Sequence, residues 1–140
     1  MTKSENLSFD ELKIGMKKGF SVKITSSKID EFAKLSGDYN PLHMDNDFAL
    51  KTKFGQRVCH GMLLASFFSN LIGMHLPGKN SLYFSQSLNF ISPCFENDEI
   101  NVEGEIVDKS ISTKMVTIKT SILNQKKDFL VKGQAKVMII

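Results

Sequence analysis

The stretch CHGMLLASFFSNLIGMHLPG, residues 59–78, sets the architecture. It is apolar nearly all round, so it reads as one long helix buried on most sides. Its apolar run, Met62 to Met74, is broken by Ser66, Ser69 and Asn70. A run of roughly 10–14 residues belongs to a core helix rather than a membrane span. Ser66, Ser69 and Gly73 recur at i, i+3 and i+7, a small-residue stripe suited to close contact with a sheet. Pro77-Gly78 ends the helix. Downstream the period changes to two. Residues 81–92, 99–108, 113–123 and 128–139 read as strands, joined by turns short enough for an antiparallel meander. Upstream, residues 20–25 alternate as a strand. A helix follows, with Ser26 or Ser27 as its cap and Ile29, Phe32, Ala33 and Leu35 as its apolar face. Gly37 suits the left-handed position past its end. Strand, helices, then four strands predict an α+β fold: one antiparallel sheet against a long apolar helix, a single domain over residues 1–140. The uncovered edge or face of such a sheet calls for a second copy of the chain, so a homodimer is expected.

Composition narrows the class. Hydrophobic residues make up 41% and charged residues 24% of the 140, the balance of a globular protein and not of a disordered one. The net charge is +3, almost wholly from scattered lysines, with Arg57 the single arginine. No arginine cluster interleaves with aromatics, so no nucleic-acid partner is expected, nor a membrane. The mild positive excess suits a phosphate-bearing ligand. Lys51, Lys53, Arg57 and Lys79 are candidates for that contact, and spacing does not rank them. Cys59 and Cys94 form no C-x-x-C pair and read as small buried hydrophobes. Two free thiols and a polar, leaderless first segment lead us to expect a cytoplasmic setting.

The chemistry gathers upstream of the long helix, in SGDYNPLHMD (36–45). Pro41 drives Asn40 out of helical geometry, so a turn is expected there, with a short helix starting at Asp45 or Asn46. Asp38 and His43 are five apart, not the three or four of helix neighbours. Their spacing has a purpose if the turn folds one toward the other: a converging acid and imidazole can hold a water and move its protons. The plain alternative makes Asp38 an Asx-turn residue and His43 a capping or surface histidine. A calcium loop fails, because the places needing Gly and Glu hold His43 and Ala49. No ligand spacing supports a metal on His43, Asp45, Asp47 and His60. His60-Gly61 opens the apolar helix, where the first N–H groups lack partners and the dipole is positive. A carbonyl gaining negative charge would sit well on the Gly61 N–H; the alternative is a tight turn. Ser69 either packs as a small residue or hydrogen-bonds Asp38 and orients it. The phenylalanines 67, 68, 84, 90 and 95 read mostly as core, with part free to line an acyl slot.

Three elements in one order, SGDYNPLHMD, VCHGMLLASFFS and LPGKNSLYFSQSLNFISPCFENDEI, closely resemble the MaoC-like (R)-specific enoyl-CoA hydratases. The resemblance covers roughly residues 8 to 140. It implies a hot-dog fold, a homodimer, and reversible hydration of trans-2-enoyl-CoA to (R)-3-hydroxyacyl-CoA without a cofactor. By this resemblance Asp38 is the catalytic acid residue, His43 the catalytic histidine, Gly61 the oxyanion donor and Ser69 the support of Asp38. Asn40 and His60 fall in the same motifs as supporting residues. Two alternatives share the fold: an acyl-CoA thioesterase, and a 3-hydroxyacyl-ACP dehydratase that takes its acyl chain on acyl carrier protein. A non-catalytic acyl-binding subunit would lack the Asp38, His43 and Gly61 set.

Overall fold

The computed structural model describes residues 3–140. Strand β1 (Lys17–Lys23) starts earlier than the alternating stretch and stops short of Thr25. Thr25 is taken up in capping helix α1 (Ser26–Ser36): its Oγ1 accepts from the Lys28 N–H at 3.3 Å. The cap is therefore one residue ahead of the expected Ser26 or Ser27. Ile29 and Ala33 are buried as expected, whereas Leu35 stays 85% exposed and lies off the apolar face. Gly37 takes φ 80° and donates to the Ala33 carbonyl at 2.8 Å, closing the helix in the left-handed form that glycine tolerates.

At Pro41 the expected turn is itself a single helical turn, α2 (Pro41–Met44). Proline fits its first position, where no N–H is needed. Asn40 lies outside helical geometry and its Oδ1 accepts from the Leu42 N–H at 3.0 Å. Helix α3 (Asn46–Leu50) follows, capped by Asp45 Oδ1, which accepts from the N–H groups of Asp47 and Phe48.

The apolar helix is shorter than 59–78. Helix α4 (Gly61–Asn70) widens into a π-helical turn over Leu71–His75. Cys59 is not helical: the chain is still extended at His60 (ψ 130°), and the Cys59 N–H bonds the Cys94 carbonyl at 2.7 Å. The sheet adds β2 (Ser81–Gln86), β3 (Asn89–Phe90), β4 (Glu99–Ser110), β5 (Met115–Leu123) and β6 (Phe129–Ile139). The order is β1-β4-β5-β6-β2, antiparallel throughout, with β3 also on β6. The single strand expected over 81–92 breaks at Ser87–Leu88. There the chain crosses β6 so closely that any side chain at Gly133 would strike the Ser87 carbonyl.

The π-turn touches both β1 and β2, the two opposite edges of the sheet. Only a sheet curled around the helix brings both edges to it. Leu63, Leu64, Phe68 and Leu71 pack against Val102, Ile122 and Leu130. Ile72 and Leu76 join a second cluster with Ile106, Ile118 and Val137. The close helix–sheet approach is made from the sheet side, at Gly104, where a Cβ would come within 2.9 Å of Leu71. Ser66 and Ser69 are exposed and face away from that contact, so the small-residue stripe does not serve it. Phe68 is core, but Phe84 and Phe90 are more than half exposed, contrary to the expectation of burial. Among the described residues no helix is long and apolar enough to cross a membrane.

Candidate active site

Asp38 sits in the loop between Gly37 and α2, and His43 in α2 itself, and the bend between them turns their side chains together. Asp38 Oδ2 lies 4.0 Å from His43 Nε2. That gap is too long for a direct hydrogen bond. A water about 2.8 Å from each atom spans it at an angle of about 90°. The other carboxylate oxygen, Oδ1, accepts from the Asn40 N–H at 3.1 Å. The two oxygens of Asp38 thus part company: Oδ1 makes the Asx turn that sets the side chain, and Oδ2 faces the imidazole.

The histidine is oriented from behind. Its Nδ1 lies 2.5 Å from the Val58 carbonyl, which can only accept, so Nδ1 carries a proton, and in the neutral form of the ring Nε2 is the bare nitrogen facing Asp38. Val58 is tied to α2 in turn, its N–H donating to the Leu42 carbonyl at 3.2 Å. Asn40 contributes by capping α2, which fixes where His43 stands. Residue type carried no signal for Val58, because it acts through its main chain.

His60 is 2% exposed. Its Nε2–H donates to the main-chain carbonyl of Asp38 at 2.9 Å, and its ring lies against His43 with centroids 4.1 Å apart and the planes tilted by 30°. Burial pushes its pKa below the ordinary imidazole value, with the nearby His43 and Arg57 adding to the fall, and the Asp38 carbonyl and carboxylate opposing it. It stays neutral, a structural donor that pins the Asp38 loop to the start of α4. One donor atom of each of Asp38, His43 and His60 lies within 4.8 Å of the others, a set that invites comparison with a metal centre. His60 Nε2 is committed as a donor to a carbonyl, so that nitrogen offers no lone pair to an ion. Asp45 caps α3 instead of joining this group.

Asp38, His43, His60 and Gly61 line one cleft of about 610 Å³, together with Lys53 and Phe90. The Gly61 N–H is the first of α4 and has no carbonyl a turn earlier to bond. Phe90 covers it so closely that a Cβ at residue 61 would come within 2.8 Å of the ring. A methyl there would have to push the ring aside, so glycine keeps the approach to that N–H open. Cys59 and Cys94 also line the cleft and are buried. Hydrogen bonding to Cys59, with burial, drives the Cys94 thiol far above its ordinary value, so it is no nucleophile. Ser69 is not brought to Asp38. It lies eight residues beyond Gly61, about 12 Å along the axis, exposed and without a hydrogen bond to the aspartate.

The phosphate candidates separate. Arg57 is 9% exposed and paired with Glu96 at 3.1 Å and Asp30 at 3.6 Å, so it braces the loop rather than waiting for a ligand. Lys79 lies past the far end of the helix, and Lys51 ends α3 outside the cleft. Only Lys53 of the four lines it. A second groove, of about 510 Å³, lies elsewhere on the sheet between Lys17, Glu103, Glu105 and Lys119 and holds neither an imidazole nor a thiol.

Comparison with known proteins matches residues 10–127 to the family model described as MaoC like domain. The chain is 41% identical to the (R)-specific enoyl-CoA hydratase of Aeromonas caviae over 95% of its own length and 99% of that protein's. The solved structure of an R-hydratase from Pseudomonas aeruginosa superposes with a TM-score of 0.93 at 34% identity, covering 97% of this chain and 87% of that one. A mitochondrial 3-hydroxyacyl-[acyl-carrier-protein] dehydratase of Arabidopsis thaliana is 46% identical over 54% of this chain and 45% of its own length.

Proposed function

This chain belongs to the MaoC-like family and has the hot-dog fold of the R-hydratases, and on that premise we propose that it adds water reversibly across trans-2-enoyl-CoA to give (R)-3-hydroxyacyl-CoA. The observation that carries the proposal is the 4.0 Å gap between Asp38 Oδ2 and His43 Nε2, opening on the same cleft as the Gly61 N–H.

The thioester carbonyl accepts from the Gly61 N–H, which draws electron density from the conjugated double bond and leaves C3 electrophilic. A water held by Asp38 and His43 attacks C3. Its proton goes to Asp38, its oxygen becomes the C3 hydroxyl, and the enolate charge gathers on the thioester oxygen. His43 orients the water, and its Nε2 relays to C2 the proton that Asp38 took up, which discharges the enolate and returns both side chains to their starting state. Both additions come from one side, so the overall addition is syn. Removing one oxyanion donor typically costs about 2.7–4 kcal/mol of barrier. Asn40 and His60 serve by holding α2 and the Asp38 loop. Ser69 supports Asp38 only if a rearrangement of the side chains, or a second chain, joins them.

The enzyme works as a homodimer. Strand β2 is a free sheet edge bearing Leu82 and Phe84, each at least half exposed. Main-chain groups and apolar side chains left open together suit pairing with a second copy.

Loss of enoyl absorbance with crotonyl-CoA, followed by chiral analysis of the product, tests the activity. Thiol release without hydration would instead make the protein a thioesterase. The likeness to an acyl-carrier-protein dehydratase favours a second reading, the same chemistry on a carrier protein. Comparing kcat/KM for crotonyl-CoA and crotonyl-ACP decides between the carriers.

A further inference from the structure

A thioester of coenzyme A is polyanionic beyond its uncharged pantetheine arm, so a cleft that takes it needs a cation where the arm leaves for solvent. Lys53 lines the cleft that holds Asp38, His43 and Gly61. It is exposed, which puts it at the rim, and it follows α3 in a loop of successive turns. Its nearest aromatic neighbour is Phe54, whose ring centroid lies 5.3 Å from Nζ and which also lines the cleft. Among the described residues no carboxylate pairs with Lys53, and no second lysine or arginine lines this cleft. Arg57, further along the same loop, is neutralised by two acids, so it offers no competing charge.

We propose that Lys53 binds a phosphate of the substrate's carrier arm and is the residue by which this enzyme favours phosphate-bearing thioesters over neutral ones. This rests on the hydration assigned above. The phosphate is either the one that joins pantetheine to its carrier, present in coenzyme A and acyl carrier protein alike, or one belonging to the adenosine part of coenzyme A alone. An ammonium acts here as a point charge on a flexible stem, which tolerates either. The contact is solvent-exposed, so its effect is modest and fades with salt.

The test compares Lys53→Gln and Lys53→Glu with the wild type on crotonyl-CoA, crotonyl-4′-phosphopantetheine and crotonyl-pantetheine. Coenzyme A binding by calorimetry gives a readout that does not need turnover. We expect the preference in kcat/KM for crotonyl-CoA over crotonyl-pantetheine to fall about fivefold in Lys53→Gln, further in Lys53→Glu, and coenzyme A binding to weaken in step. Raising the salt concentration narrows the difference. If crotonyl-4′-phosphopantetheine loses as much as crotonyl-CoA, the phosphate is the shared one; if it loses nothing, the adenosine phosphates are the partners. An unchanged preference with unchanged coenzyme A binding overturns the proposal. A wild type that binds coenzyme A through Lys53 but hydrates none of the three thioesters would overturn the assigned activity and leave the phosphate contact standing.

Discussion

His60 Nε2 donates to the main-chain carbonyl of Asp38 across 2.9 Å, and His60 is the residue that starts helix α4. The loop that carries the acid is thereby fastened to the residue beside the Gly61 N–H. In the proposed reaction this keeps the water at a set separation from the thioester carbonyl, as addition of water at C3 of the polarised thioester requires. The predictions below probe this arrangement piece by piece.

Asp38→Asn and His43→Ala should each lower crotonyl-CoA hydration by at least about a hundredfold, the low end for acid–base catalysis. The Asp38 side chain is 49% exposed, so Asp38→Asn should melt close to the wild type. Thermal melts beside initial rates check both. Near-wild-type rates in both variants would remove the water-activating pair.

Gly61→Ala should lose about a hundredfold or more, because the new methyl meets the Phe90 ring and closes the approach to the N–H. Since Phe90 is 53% exposed, Phe90→Ala can make room with little damage to the core. The double variant should recover part of the rate lost by Gly61→Ala. Failure to recover any would mean that the methyl acts on something other than this ring.

The buried His60 titrates below the ordinary value near 6.5. Below that pH the unfolded chain takes up a proton that the folded chain refuses, so the stability it contributes is present at neutral pH and drains away as the pH falls. His60→Gln retains a donor for the Asp38 carbonyl and removes the titration. Urea midpoints at about pH 5.5 and about pH 7.5 should therefore differ less in the variant than in the wild type. An equal difference in both would place the pH dependence elsewhere.

Arg57→Ala should destabilise by about 1–2 kcal/mol, less than a fully buried pair, because its partners Asp30 and Glu96 keep access to water. Arg57→Lys should recover only part of this, as a single ammonium lacks the fork that serves two carboxylates. Denaturant titration measures each value. A variant as stable as the wild type would show that the pairs contribute nothing net.

Phe84→Glu puts a charge on the free β2 edge beside the exposed Leu82. Sedimentation should find the wild type as a dimer and the variant as a monomer. A monomeric wild type would end the dimer proposal.

The sequence alone was sufficient for the order of elements and for the β4-β5-β6 hairpins, because hydrophobic period is a local property; it was not sufficient for the strand over 81–92, which the meander placed beside β4 and which the fold pairs with β6, leaving β1 beside β4. It was sufficient too to single out Asp38, His43 and Gly61, which the fold gathers on one cleft, since an acid, an imidazole and a glycine at a helix start advertise themselves by type. Contacts between distant segments were decided by tertiary structure. The Cys94 carbonyl bonds Cys59 ahead of the helix, and Gly133 breaks the strand at Ser87, each through a backbone approach that neither segment encodes by itself. The Val58 carbonyl fixes the proton on His43, and a main-chain group has no residue type to read. Arg57 and Lys53 look alike as charges along the chain; the fold buries one between two acids and leaves the other on the rim of the cleft. Charge is written in the sequence, but the company it keeps is set only when the chain has closed.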